Sequence, residues 1–186
     1  MTSPNSTLQH SQPPLWVRVV HQLRAAEFHW HFAQGIRAVE QELYIPGSLA
    51  LLAGIETSIR LTLYQSKQNT FPFEQDLGTV LSNSLIRQAR DNGLPIALLA
   101  FPGEADFADR LDTNKPGVRI VELRNDLAHG NVQRFVNREL GDSDAFFTPE
   151  CLRELSLELL AISVAWSEAL AMYRAAKSIS SHQQEL

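Results

Sequence analysis

The stretch "VELRNDLAHGN", Val121–Asn131, holds the groups from which a phosphodiester-cleaving site can be built: a guanidinium at Arg124, an amide at Asn125 and an imidazole at His129. RNA carries its own nucleophile, the 2′-hydroxyl. Cleaving its backbone takes a base for that proton, an acid for the leaving 5′-oxygen and positive charge on the phosphate. Imidazoles titrate near neutrality and can act as base or acid. A guanidinium stays protonated and can bind two phosphate oxygens together. An amide donates and accepts, so it can orient the ring or the RNA. Such a reaction needs no metal or cofactor and leaves a 2′,3′-cyclic phosphate and a 5′-hydroxyl. The same residues also describe a plain helix end, since Gly130 suits a left-handed terminator and basic side chains in a last turn suit the helix dipole.

Spacing alone does not separate these readings. Arg24 and His29 in "RAAEFH" repeat the Arg124–His129 interval inside a long apolar stripe, where it has no evident chemical use. On a helix of about 100° per residue, Ile120, Leu123 and Leu127 form a core face, and Asn125, Ala128 and His129 lie away from it. Arg124 reaches round from the flank. Asn125 and His129 are i,i+4 neighbours and can bond to each other or share a ligand. The small Ala128 leaves room for a second chain, which hints at a homodimer. One chain supplies one titrating group in the motif; two chains sharing a cleft supply two His and two Arg.

The residues "LRNDLAHGN" resemble the HEPN superfamily, whose ribonuclease members carry an Arg, often a following polar residue such as Asn, and then a His. The order of elements is similar too: a helix like "LALLAGIETSIRLTL", the motif helix, then a long closing amphipathic helix, across roughly residues 15–178. The resemblance implies an all-α, HEPN-like bundle and a metal-independent endoribonuclease acting on RNA as a homodimer. It implies a toxin or defence effector, with an antitoxin or other regulatory protein as a partner. Its catalytic pair maps to Arg124 and His129, with Asn125 as the accompanying polar residue. Relatives controlled by nucleotidyltransferase antitoxins carry a tyrosine two positions after the His. Asn131 stands there in this chain, so that form of control is not expected. Some relatives do not cleave, and the alternative expectation is a non-catalytic module that binds a nucleotide, an RNA or a protein.

Composition bounds these readings. A net charge of −5 argues against a general nucleic-acid coating protein. Charge is uneven, however: Arg110, Lys115, Arg119, Arg124, Arg134 and Arg138 face only Asp112, Glu122 and Asp126 in the segment around the motif. Arg119 and Arg134 are its candidate RNA contacts. Glu56 and Arg60 in "GIETSIR" form an i,i+4 pair, and Glu56 is a candidate to support Arg124 from the preceding helix. Cys151 is the single cysteine, which excludes an intrachain disulfide framework and fits a reducing cytoplasm. It stands near a helix start without an evident base, so no reactivity is expected of it. His29 and His31 in "FHWHF" point about 200° apart on a helix and are not expected to hold a metal. The longest apolar run, "LPIALLAF", contains Pro95 and is too short to span a bilayer. The N-terminus has no signal-peptide pattern, so a cytoplasmic protein without a membrane partner is expected.

The elements that must position the motif read as about five helices in one domain, 14–178, with loose polar tails at 1–13 and 179–186. Trp16, Val19, Leu23, Ala26, Trp30 and Ala33, continued by Ile36, Val39 and Leu43, predict one long first helix. "YIPGS" breaks it. Leu52, Ile55, Ile59 and Leu63 mark a second helix, and "LGTVLSNSLIRQARDN" a third that stops at Gly93. A short helix is expected near Glu104–Leu111, then the motif helix "VRIVELRNDLAH". "NVQRFVNREL" reads as a loop or as extended. The closing helix has Thr148 as N-cap and Pro149 in its first turn, with Leu152, Leu155, Leu159, Ile162, Trp166, Leu170 and Tyr173 as its core stripe.

Overall fold

The computed structural model describes residues 12–68, 80–113, 115–139 and 141–183. Seven α-helices lie among them: α1 Leu15–Leu23, α2 Ala26–Glu40, α3 Tyr44–Gln68, α4 Asn83–Asp91, α5 Phe107–Leu111, α6 Arg119–Ala128 and α7 Arg153–Gln183. No described residue belongs to a strand; a lone antiparallel bridge joins Asn137 to Phe146. The fold is an all-α helical bundle. Most of the expected N-terminal tail and residues 77–79 of the expected third helix lie outside the described residues. Helix α7 runs to Gln183, past residue 178 where a tail was expected.

The long first helix expected from the stripe is two helices. Arg24 adopts φ 47° and ψ 36°, and its N–H closes α1 on the Val20 carbonyl. The break rotates α2 relative to α1. Phe28, His29, Phe32 and Ile36 turn inward, while Ala26 and Trp30, expected in the core, are exposed. Leu43 is exposed as well. "YIPGS" does not break the chain as expected. Helix α3 starts at Tyr44, so Pro46 falls in a first turn, where a missing N–H costs nothing. The third helix starts late, capped by the Ser82 side chain, which accepts the Leu85 N–H at 3.2 Å. It ends as expected at Gly93, φ 81°.

Helices α2 and α3 approach closely because glycines line their contact. A Cβ added at Gly35 would meet Leu51 Cγ at 2.7 Å, and one at Gly47 would meet Val39 Cγ2 at 2.7 Å. Helix α7 lies against α1, α2 and α3, and its stripe of Leu159, Ile162, Trp166 and Leu170 is buried in the core. Two side-chain bonds hold α7 in register with α3. Ser48 Oγ lies 2.8 Å from Ser156 Oγ, and Trp166 Nε1 donates to Ser58 Oγ at 2.9 Å.

His29 is 9% exposed and neither ring nitrogen has a hydrogen-bond partner among the described residues. His31 is exposed on another side of α2, so the two do not converge, and no cluster of metal ligands occurs among the described residues. Burial pushes the His29 imidazole below its ordinary value, against a smaller opposing pull from Glu27.

This packing has two measurable consequences. Gly35→Ala overpacks the α2–α3 contact and lowers stability by about 1–2 kcal/mol, the overpacking cost exceeding the gain in helix propensity, as read by urea unfolding. The lowered His29 value means that the unfolded chain binds the proton more readily. Its contribution to stability is therefore complete above the unfolded value near about 6.5 and is lost as pH falls through the folded one. Unfolding midpoints measured from pH 8 to 5 should fall, and His29→Phe should flatten that slope; an unchanged slope rejects the assignment.

Candidate active site on the motif helix

Helix α6 has 10 residues, too few to be stable alone in water, where roughly 12–15 are marginal. Its buried side chains, Ile120, Val121, Leu123 and Leu127, supply the apolar attachment. Side chains from elsewhere fix its start. Glu104, buried, accepts the Arg119 N–H through Oε1 at 2.6 Å and the Phe101 N–H through Oε2 at 3.1 Å. A carboxylate at a helix N-terminus also meets the positive end of the dipole. Asn83, buried on α4, accepts the Val118 N–H at 3.1 Å and donates to the Arg110 and Thr113 carbonyls at 2.9 Å each. Arg110 donates to the Gly117 carbonyl and pairs with Glu122 at 3.2 Å.

The expected link from Glu56 to Arg124 is present. Arg124 Nε donates to Glu56 Oε2 at 3.2 Å, with the two side chains 22% and 13% exposed. Glu56 Oε2 also accepts the Leu81 N–H at 2.9 Å, and Oε1 accepts from Arg60 Nη1 at 3.2 Å. One carboxylate of α3 therefore gathers two guanidiniums and a backbone N–H. Arg124 Nη1 lies 3.5 Å from Asn125 Oδ1, the limit of a hydrogen bond. Arg124 Nη2 has no partner among the described residues.

His129 is the C-cap of α6, and Gly130 at φ 68° ends the helix. The Asn131 N–H returns to the Asp126 carbonyl at 2.8 Å and the Gly130 N–H to the Leu127 carbonyl at 3.3 Å, the paired bonds of a left-handed cap. The cap fixes the backbone from which the imidazole projects. His129 is exposed and its ring meets no hydrogen-bonding or ionic partner among the described residues. Asn125 and Ala128 are exposed with it, so the strip is open to solvent. The i,i+4 link between Asn125 and His129 is through the backbone, His129 N–H to Asn125 carbonyl at 3.0 Å.

Within one chain no hydrogen bond joins Arg124 to His129. The guanidinium faces α3 and the imidazole faces solvent. Arg119 stands at the start of α6, ion-paired with Glu158 of α7 at 3.3 Å and stacked over the Phe101 ring at 4.4 Å. Arg134, in the turn Val132–Phe135, pairs with Glu122 at 3.1 Å and Asp126 at 3.2 Å, which folds the following loop back along the helix. Glu104 and Asn83 were not anticipated as supports, and Arg60 was expected only as the i,i+4 partner of Glu56, where it stands. Glu56 and Arg60 signalled themselves by i,i+4 spacing; nothing local marks Asn83 or Glu104. Comparison of the chain with protein-family models, curated proteins and solved structures finds no match.

Removing the Glu56 carboxylate strands three donors at once. Glu56→Ala should cost about 2 kcal/mol of stability in urea unfolding, and Glu56→Gln less, because its amide oxygen can still accept the Leu81 N–H. Equal losses in the two variants would show that the carboxylate charge, which both remove, carries the whole effect, and that the Leu81 bond and the packing that glutamine keeps contribute little.

Proposed function

We propose that this chain is a metal-independent endoribonuclease of HEPN type, a toxin or defence effector, with its site on α6. The observation that carries the reading is the division of roles along one short helix. Arg124 is aimed by Glu56 and keeps one amino group unpaired, while His129 is exposed at a rigid helix end, with Asn125 exposed between them in sequence. A phosphate bound at Arg124 has its charge balanced by a cation that cannot lose its proton. His129 takes the 2′-hydroxyl proton or delivers one to the 5′-oxygen; Asn125 orients the ring or the sugar. The attacking 2′-oxygen forms a bond to phosphorus as the 5′-oxygen leaves, closing the cyclic phosphate. A second chain, approaching over the small Ala128, supplies the second imidazole that the opposite role requires.

Arg119 and Arg134 serve as RNA contacts in this reading despite their carboxylate partners. Their side chains are 41% and 58% exposed. Ion pairs at such positions contribute only about 0–1 kcal/mol, so exchanging a carboxylate for a phosphate costs little. A second reading, a non-catalytic module for a nucleotide, RNA or protein, draws support from one fact: the Arg124 charge is already matched within the chain by Glu56.

Cleavage of mixed RNA substrates in the presence of chelator separates the two. His129→Ala and Arg124→Ala should each lower the rate about 10²-fold or more with circular dichroism unchanged; unfolding should stay unchanged in His129→Ala, while Arg124→Ala, which removes the tie to Glu56, should also lose about 1–2 kcal/mol of stability. The products should carry 2′,3′-cyclic phosphate ends. Undiminished cleavage by both variants removes the site assignment, and saturable RNA binding without any cyclic product favours the module.

A further inference from the structure

Ion-paired guanidiniums around α6 are mostly outnumbered by acids. Arg110 and Arg134 meet three carboxylates between them, those of Glu104, Glu122 and Asp126, and Arg119 meets Glu158. At Glu56 the count reverses. Arg60 and Arg124 share this one carboxylate, and neither has another acidic partner among the described residues. One positive charge is therefore left over, on the residue pair that includes the guanidinium of the candidate site.

Geometry says what the excess charge can take. Glu56 and Arg60 lie one turn apart on α3, whose Ile55 and Ile59 are buried in the core, so the side on which both project is fixed. Arg60 donates to Oε1 through Nη1, and Arg124 to Oε2 through Nε. Each thus spends part of its fork on the carboxylate. Nη2 of each has no partner among the described residues and is not buried. Arg60 Nε is buried without a partner, an unmet donor that folding ordinarily avoids. Both side chains are 22% exposed, so the two cations repel each other through little water. An oxyanion bridging their open edges removes that repulsion, and phosphate suits the spacing of a guanidinium fork.

We infer that Arg60 is a second phosphate-binding residue of the site, held beside Arg124 by their common carboxylate, and that the two receive the backbone of one RNA strand. For its ligand this rests on the ribonuclease reading, although it does not require cleavage. Arg60 moves no proton, because a guanidinium stays charged near neutrality; it supplies charge and two-point geometry to the phosphate. Glu56 is the positioning residue, acting through both guanidiniums at once.

Fluorescence anisotropy of the full chain with a mixed-sequence 2′-O-methyl RNA, which lacks the nucleophile, measures binding apart from cleavage. Affinity should fall steeply between about 50 and 200 mM salt as counterions return to the strand. Arg60→Ala should weaken binding about tenfold at the lower salt, and the slope of log affinity on log salt should become shallower by about 0.7, one phosphate contact on a single strand. Arg60→Lys keeps the charge and should keep the slope. A Glu56→Gln background separates contact from support: adding Arg60→Ala there should again flatten the slope by about 0.7, whereas a residue that only steadies Glu56 would leave it unchanged. An unchanged slope on loss of Arg60, in either background, overturns the inference. So does a wild type that binds no 2′-O-methyl RNA, or that binds inorganic phosphate in calorimetry but not the strand. Cleavage is read on its own. Binding with the expected slopes but no cyclic-phosphate product keeps the inference and removes catalysis; cleavage with a slope indifferent to Arg60 does the reverse.

Discussion

Helix α6 is held by side chains that belong to other elements, and every feature of the candidate site depends on that support. Its apolar residues bury one side, yet apolar contact is non-directional and leaves a short helix free to slide or turn. Directional bonds remove that freedom. Glu104 and Asn83 fix the first turn through the Arg119 and Val118 N–H groups, and Glu56 fixes the middle through Arg124. A shift by one residue would rotate the helix by about 100° and carry Arg124 off its carboxylate. Three polar contacts thus turn a marginal helix into a platform with one orientation.

That platform separates two kinds of cation. Arg124 and Glu56 are mostly shielded from water, so their attraction is little screened and the guanidinium direction is set before any ligand arrives. Arg119 and Arg134 sit where solvent screens their pairs, and they can change partner cheaply. His129 belongs to neither kind. Its backbone is pinned by the bonds around Gly130 while its ring is left to solvent, so a proton can reach it without any part of the fold opening.

The parts legible in the sequence are those written in neighbouring residues. Gly130 and Gly93 end their helices at positive φ, and Leu159, Ile162, Trp166 and Leu170 point inward as their spacing requires. Arg24 was not legible. An arginine in the left-handed region costs about 1 kcal/mol and carries no signature, so the apolar stripe read straight through it and put Trp30 inside. Pro46 and Gly47 misled for the opposite reason. Proline was tolerated in a first turn, and glycine answered to the Val39 side chain across the α2–α3 contact, not to a turn. At the site, the Arg124–Glu56 link was within reach because both residues were chemically conspicuous. Asn83 and Glu104 act across the fold on backbone N–H groups, and a backbone donor leaves no mark on the sequence.

The same long-range logic ties the site to α7. Trp166 donates to Ser58 on α3, and Ser58 donates in turn to the Ile55 carbonyl at 2.8 Å, one residue before Glu56. One turn of α3 thus carries both the hydroxyl that registers α7 and the carboxylate that points Arg124. The bonds that register α7 on α3 come from Ser156 and Trp166, both buried on its inner side, about half a turn from the exposed Leu157 and Met172.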